Sequence, residues 1–175
     1  GKIANGIADD MLTTTIMACK CPKLISPAMN TNMFTNPIVQ DNLKKLEHYG
    51  YEIIQPDSGY LACGDTGAGK MPSEQVLLNY ILRTIAKDKD MAGIKLTVTA
   101  GPTREKLDPV RFLSNNSTGK MGYAIAKMAM LRGADVTLIS GKVSLEPVPF
   151  VKMVDIVSAE DMYNAVIKSA KDADI

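Results

Sequence analysis

The spacing of hydrophobic residues predicts helices and strands that alternate along most of the chain. Apolar side chains within residues 10–20 recur at helical spacing, and residues 23–26 form a short apolar run typical of a buried strand. A helix is predicted to begin at Pro37 and to end before Gly50, because proline suits the first turn and glycine the end of a helix. Residues 51–55 then predict a second strand.

The next segment contains a long glycine-rich loop and another helix. Residues 59–72 hold four glycines and little periodicity, so we expect a long loop of the kind that carries function in compact domains. Ser73 is a suitable cap for a helix through Ile85. The charged residues that follow, 87–90, show no periodicity and predict a linker.

The second half repeats the alternation of strand and helix. Strands are predicted at 94–99, 136–139 and 151–157. Helices are predicted at about 118–131 and at 159–170, with Ser158 and Asp161 as a capping box, and a further apolar strand should begin within residues 172–175. Alternation of this kind implies parallel sheets with right-handed crossovers, so both halves are predicted to be α/β.

These elements divide into two predicted domains, residues 1–86 and 94–175, joined by a linker at 87–93. We expect two three-layer, Rossmann-like units with parallel sheets. Both units look truncated, because residue 1 opens without a helix cap and a new strand should be starting at residue 175. The chain is therefore expected to be the middle part of a larger protein.

Composition and charge narrow the classes of partner. The formal charge is +1 and 46% of the 175 residues are hydrophobic, so the chain can bury one or two modest cores and shows no electrostatic preference for nucleic acid or an acidic membrane. No apolar run approaches the roughly 20 residues of a membrane span, and no signal peptide is recognisable. We expect a cytoplasmic protein whose partners are small molecules.

Three cysteines, an odd number, favour reduced thiols over a disulfide framework. Cys19 and Cys21 have a spacing that could suggest a metal site, but there is no second cysteine pair, and His48 is the only histidine. We therefore predict that Cys19 and Cys21 are small buried thiols and that the chain has no metal site of its own.

The polar segment 107–122 is the most informative part of the chain. Hydroxyls, amides and bases crowd the residues that open the helix at about 118, and a helix N-terminus attracts anions. We predict that a nucleotide phosphate binds here, in contact with the following residues: Gly101, Thr103, Ser117, Thr118, Gly119 and Lys120. Arg111 is a candidate for phosphate or carboxylate, since its planar fork suits both.

Two short patterns partly match the motifs of nucleotide-binding and dehydrogenase sites. Residues 64–70 fit the first seven positions of a Walker A loop, but Met71 stands where the motif needs a hydroxyl, so a glycine-rich flap is the better interpretation. Tyr123 and Lys127 match the Tyr-x-x-x-Lys pair of short-chain dehydrogenases. The glycine-rich dinucleotide loop that such enzymes need after their first strand is missing.

Two sets of motifs carry a resemblance to known families. Residues 27–34, Pro-Ala-Met-Asn-Thr-Asn-Met-Phe, and residues 61–64, Leu-Ala-Cys-Gly, resemble signatures of the FMN-binding phosphopantothenoylcysteine decarboxylases. Residues 99–105 together with 107–122 resemble the start of phosphopantothenate–cysteine ligase domains. Their order is that of the bifunctional bacterial flavoproteins of coenzyme A biosynthesis, and the resemblance spans nearly the whole chain.

For the first half, the resemblance implies a flavodoxin-like fold, FMN as cofactor and a set of site residues. The matching cysteine, Cys63, would deliver a proton as the reduced flavin returns a hydride to the enethiol intermediate. Asn30 would face the substrate carboxylate that is lost. The resemblance further implies that Ala28 and Met33 contact the substrate. It implies that Thr13, Thr14 and Met29 contact the flavin. Phe34 stands where the family usually has tryptophan, a substitution that keeps an aromatic side chain at this position.

For the second half, the resemblance implies a Rossmann-like ligase. It would activate 4′-phosphopantothenate with CTP and Mg²⁺ and couple it to cysteine, with Asn115 tied to forming and converting the acyl-cytidylate. Family members form homo-oligomers, and we expect the same here. The family's histidine and lysine of the active sites would lie outside this chain, so we expect the chain alone to be inactive. The alternative from another class is a non-catalytic module that binds nucleotide or flavin.

Overall fold

The computed structural model of the chain describes residues 1–61, 64 and 66–175. The chain forms two compact units, Gly1–Ile81 and Leu82–Ile175. Both are mixed α/β and contain a parallel sheet, as the alternation of elements predicts. Within the described residues, no helix is both long and apolar enough to cross a membrane.

The described residues of the first unit form short strands and four helices. After a 3-10 turn at Ile3–Asn5 its elements are as follows: α1 (Met11–Ala18), β1 (Leu24–Ile25), α2 (Thr31–Phe34), α3 (Pro37–His48), β2 (Glu52–Ile53), β3 (Asp57–Tyr60), β4 (Thr66–Lys70) and α4 (Glu74–Ile85), which continues into the second unit. β1 and β2 are parallel, whereas β3 and β4 form an antiparallel hairpin. The core is small and centres on Ala4, Leu46 and Ile53.

The hairpin corrects the prediction of a long irregular loop at 59–72. Its glycines lack the side chains on which strand prediction depends, yet they are what allows β4 to pack closely on a neighbouring segment. A Cβ added to Gly69 would lie 2.1 Å from the carbonyl oxygen of Met29, and one added to Gly67 would lie 2.4 Å from Thr31 Oγ1. Because residues 66–70 are an extended strand, they do not form a Walker A loop.

The second unit has a three-stranded parallel sheet in the order β5-β8-β9. Its elements are as follows: β5 (Lys95–Ala100), β6 (Arg104–Lys106), β7 (Phe112–Ser114), α5 (Lys120–Leu131), β8 (Asp135–Ser140), β9 (Lys152–Asp155) and α6 (Ala159–Ser169). Four of the six side chains of the central strand β8 are buried, with Val136 at 1% and Leu138 at 0% exposure. Ala126 and Ala129 of α5 pack in the same core.

Three details of this unit bear on the sequence predictions. The capping box of α6 is confirmed: Asp161 N–H donates to Ser158 Oγ at 3.1 Å, and Ser158 N–H donates to the Asp161 carboxylate at 2.8 Å. The polar segment 107–122, which was predicted to lead into the helix at about 118, begins as the tip and second strand of the β6–β7 hairpin. No strand is assigned at 172–175, although Thr97 N–H donates to Ile175 O at 2.9 Å.

The prediction of buried thiols at Cys19 and Cys21 is wrong, because both residues are exposed. They follow the C-terminal end of α1, where Cys19 N–H donates to Thr15 O and the chain leaves the helix for an irregular segment. Local composition therefore did not decide burial here. The exposure of these two thiols depends on which elements cover the end of α1.

Candidate functional site

The predicted phosphate-binding residues converge on one cavity of about 300 Å³ in the second unit. It lies where β5 ends and α5 begins. Five of the six predicted residues line it: Gly101, Ser117, Thr118, Gly119 and Lys120. The sixth, Thr103, lies just beyond, where its carbonyl oxygen accepts a hydrogen bond from Ser114 Oγ at 2.8 Å.

Glycines shape this cavity by letting backbone segments approach closely. Gly101 has φ +76° and Gly119 has φ +75°, in the left-handed region that side chains rarely adopt. A Cβ on Gly122 would lie 2.7 Å from both Thr99 O and Ala100 Cβ. The first turn of α5 is consequently pressed against the end of β5, and only glycine permits that contact.

The N-terminus of α5 provides the electrostatics of the cavity. Gly119 is its N-cap and makes no side-chain cap, so no side chain of the N-cap residue occupies the first backbone N–H groups of the helix. Lys120, Met121 and Gly122 all line the cavity. Unpaired N–H groups, the positive end of the helix dipole and a lysine together suit a phosphate.

Arg111 and Asn115 lie on the β6–β7 hairpin and its exit, and neither lines the cavity. Arg111 Nε donates to Asp108 Oδ2, and its side chain is 76% exposed. Backbone and side-chain hydrogen bonds from Arg111, together with the backbone N–H of Val110, hold the pKa of Asp108 below its ordinary value. Asn115 Oδ1 accepts from Ser117 N–H at 2.9 Å, which orders the turn that enters the cavity.

Sequence reasoning missed part of this cavity. Met162 of α6 and Ile125 of α5 line it together with the last residues of β5, 98–100. Met162 could not be recognised because its position depends on how α6 packs. The contribution of β5 could have been predicted from the sequence, because parallel α/β sheets bind ligands at the carboxyl ends of their strands.

In the first unit, the predicted substrate loop packs directly against the glycine hairpin. Met29 N–H donates to Gly69 O at 2.9 Å, which places residues 27–31 beside β4. Asn30 caps α2 with Oδ1, which accepts from Asn32 N–H at 2.8 Å. Thr31 Oγ1 is buried and, among the described atoms, has no hydrogen-bond partner. These contacts place the motif at residues 27–34 beside strand β4.

The other predicted site residues of the first unit differ in exposure and lie on more than one element. Ala28 and Met33 are exposed, whereas Met29 is half-buried. Thr13 and Thr14 lie on another element, α1; Thr13 is buried, and its hydroxyl donates to Asp10 Oδ1 at 2.8 Å as part of the helix cap. Cys63 lies outside the described residues. Within the described part of the chain, no group of three His, Cys, Asp or Glu side chains is arranged to hold a metal.

Comparisons with known proteins place both units in described families. Residues 1–86 match the Flavoprotein family, and residues 91–175 match the DNA/pantothenate metabolism flavoprotein C-terminal domain. The coenzyme A biosynthesis bifunctional protein CoaBC of Bacillus subtilis is 46% identical over 100% of this chain and 44% of its own length. CoaBC of Escherichia coli K12 is 44% identical over 99% of this chain and 43% of its own length.

A solved structure, the C-terminal domain of a coenzyme A biosynthesis bifunctional protein CoaBC, is 49% identical over 50% of this chain and 44% of that chain, with a TM-score of 0.49. The chain spans less than half the length of the curated relatives named above. The similarity to these relatives nevertheless covers both units. The chain therefore belongs to the CoaBC family of bifunctional flavoproteins of coenzyme A biosynthesis.

Proposed function

We propose that this chain is part of an enzyme with two activities in coenzyme A biosynthesis. One is the CTP-dependent ligation of 4′-phosphopantothenate with cysteine, and the other is the FMN-dependent decarboxylation of the product to 4′-phosphopantetheine. The observation that carries the proposal is the gathering of five predicted nucleotide-binding residues around one cavity at a helix N-terminus. The similarity to CoaBC proteins along both units supports the pairing of the two activities.

For the ligase half, we propose that the cavity between β5 and α5 binds phosphates of CTP. The N–H groups at the start of α5 and the Lys120 ammonium would neutralise their charge, and Mg²⁺ would accompany the nucleotide through the phosphate oxygens. Arg111 and Asn115, on the adjoining hairpin and turn, would contact the carboxylate substrate. Asn115 Oδ1 already accepts a backbone hydrogen bond, so its amide nitrogen is the group that would donate to an acyl oxygen.

A Rossmann-like sheet in the second unit is a further part of the proposal. Ile175 N–H donates to Lys95 O at 3.3 Å and Thr97 N–H donates to Ile175 O at 2.9 Å, the pattern of a parallel pair. The sheet would then run β9-β8-β5 with residues 174–175 on the opposite edge. That order reverses at β5, and ligands bind at such switch points beside the carboxyl ends of the strands.

For the decarboxylase half, we propose a flavodoxin-like fold with FMN and with Asn30 and Cys63 in the roles of the decarboxylase family. The buried, unpartnered Thr31 hydroxyl beside Asn30 fits a polar group of a ligand in contact with this loop. Asn30, Met33 and Ala28 would contact the substrate, and Met29 would contact the flavin edge. When bound, FMN would supply two-electron redox chemistry. The Thr13 hydroxyl already serves the α1 cap, so a flavin contact there would use other atoms of residues 13–14.

A dehydrogenase is disfavoured by the environment of Tyr123. Its hydroxyl donates to Ser140 Oγ at 3.1 Å, and Ser140 is 1% exposed, so this phenol is engaged with the end of β8. Lys127 is exposed on the flank of α5. A non-catalytic module remains the alternative, because it would keep the same cavity and the same fold.

Oligomeric state and location complete the proposal. Large apolar side chains are exposed on the β6–β7 hairpin, among them Leu107, Val110 and Leu113, which supports a homo-oligomer. Contact between copies would remove these side chains from water. A cytoplasmic location is proposed as well, since the proposed substrates are small soluble metabolites.

The proposal is tested by titrating the protein separately with CTP, FMN and NADPH and measuring heat and flavin fluorescence. We expect CTP and FMN to bind and NADPH to give no signal. Mass spectrometry of reactions with phosphopantothenate, cysteine and CTP, carried out on the longer natural protein, then separates an enzyme from a binding module. Binding of NADPH without CTP would contradict the proposal, and binding of CTP without any product would favour the module.

A further inference from the structure

The connection that follows β8 packs against the glycines of the phosphate cavity without lining it. A Cβ added to Gly101 would lie 2.9 Å from Val143 Cγ1, and one added to Gly119 would lie 3.0 Å from the same atom. The half-buried Val143 side chain therefore rests on both backbone turns at once. Val143 is absent from the lining of the cavity itself.

The start of this connection is held in place by a series of hydrogen bonds. Tyr123 Oη donates to Ser140 Oγ at 3.1 Å, Ser140 Oγ donates to Gly141 O at 2.8 Å, and Gly141 N–H donates to Ala100 O at 2.9 Å. Gly141 also packs so closely that an added Cβ would lie 1.8 Å from Pro102 O. The backbone that carries Val143 thus has little freedom to move away from the two turns.

Glycine turns need such a support if they are to bind a ligand well. Gly101 and Gly119 both adopt positive φ, and glycine can leave this conformation at low cost. Backbone N–H groups bind an anion tightly only when their directions are set before the anion arrives. A branched side chain wedged against both turns restricts them together.

We propose that Val143 is a positioning residue for the phosphate cavity. Its side chain keeps the turn at Gly101 and the N-cap at Gly119 in register, so that the N–H groups of Lys120, Met121 and Gly122 converge on one anion. The inference rests on the proposed function of this cavity as a phosphate site. The proposal assigns a role in this site to Val143, a residue of the β8–β9 connection that does not itself line the cavity.

The test compares Val143→Ala with Val148→Ala in the full chain. Val148 lies in the same connection and is buried in the core, so the identical substitution there removes the same atoms away from the cavity. We expect the dissociation constant for inorganic pyrophosphate to rise about tenfold in Val143→Ala, comparable to weakening one hydrogen bond to a charged group. Val148→Ala should lower the melting temperature and leave that constant unchanged. Val143→Thr, which retains the branched shape, should restore the wild-type affinity.

A second readout needs no ligand. Amide hydrogen exchange at Tyr123, whose N–H donates to Gly119 O at 3.1 Å, should be faster in Val143→Ala than in wild type and unchanged in Val148→Ala, because only the first substitution frees the N-cap turn. If wild type binds pyrophosphate and Val143→Ala binds it equally well, or exchanges at the same rate, the positioning role is wrong. If wild type itself binds no pyrophosphate, the proposed phosphate site fails and this inference fails with it.

Discussion

At the proposed phosphate site, Gly119 and Lys120 would contribute differently to the binding of an anion. Gly119 is buried with positive φ and lets the backbone turn into α5, whereas Lys120 is exposed and lines the cavity. The backbone provides direction, because N–H groups at a helix N-terminus have fixed positions. The side chain provides charge on a flexible stem, which adds affinity with less geometric demand.

These separate contributions of backbone and side chain predict the effect of removing only the Lys120 charge. Lys120→Ala should raise the dissociation constant for CTP about tenfold, since it removes one charged contact and leaves the N–H groups in place. Lys127→Ala is the matched control, because Lys127 is an exposed lysine on the same helix outside the cavity. Calorimetric titration of both variants gives the comparison. Equal weakening by the two substitutions would indicate general electrostatic attraction and no specific contact.

At the scale of elements, the short helix α1 depends on its cap. Asp10 Oδ1 accepts from Thr13 N–H at 2.8 Å, and Thr13 Oγ1 in turn accepts from Asp10 N–H at 3.3 Å, which completes a capping box. The Thr13 hydrogen bonds, backbone first, and the bond from Lys2 Nζ lower the pKa of Asp10 from 3.8 to about 2. A helix of eight residues is marginal by itself, so its N-terminal cap is an important part of its stability.

The lowered pKa gives α1 a defined response to acid. Because the folded pKa lies below the ordinary value, the contribution of the ionised cap is complete above pH 3.8 and is lost as the pH falls through about 2. NMR of the Thr13 backbone amide against pH should show a midpoint near 2. Asp10→Asn, which keeps an acceptor without a charge, should abolish that midpoint. A midpoint near 3.8 would show that the cap does not form.

At the scale of the whole molecule, burial is concentrated in the parallel sheet of the second unit. Val136, Leu138 and Ile139 of β8 are at most 1% exposed, whereas the buried cluster among the described residues of the first unit has three members. The β6–β7 hairpin, by contrast, exposes its apolar residues. Its β6 end is attached to the rest of the unit through Arg104 N–H, which donates to Val157 O at 2.7 Å. Within the hairpin, the Arg104 guanidinium lies 4.7 Å from the centre of the Phe112 ring.

This distribution predicts unequal costs for the same substitution. Leu138→Ala should lower the free energy of unfolding of the second unit by about 3 kcal/mol, because it leaves a cavity in a packed core. Leu113→Ala, at a side chain that is 61% exposed on β7, should change it by less than about 0.5 kcal/mol. Urea denaturation followed by circular dichroism measures both. Similar costs at the two positions would contradict the described core.

Within each element, sequence alone was a good guide wherever the signal was local. The period of apolar residues predicted α3, α5 and α6 and the strands of the central sheet, and cap chemistry predicted the start of α6, because caps and helical faces depend on residues only three or four positions apart. The resemblance of short motifs likewise identified the family, which the relatives confirm. The grouping of Ser117–Lys120 at one helix start was predictable for the same reason.

Tertiary structure decided what depends on distant neighbours. Glycines at 67 and 69 gave no strand pattern, yet β4 forms because its bare backbone fits against Met29 and Thr31. Cys19 and Cys21 are exposed because other elements leave the end of α1 uncovered. Val143 packs against two glycine turns of the cavity and Met162 of α6 lines it, although they lie 42 and 61 positions after Gly101 by subtraction of their numbers. A pattern read within one segment carries no information about such contacts, since they are determined only when the chain packs.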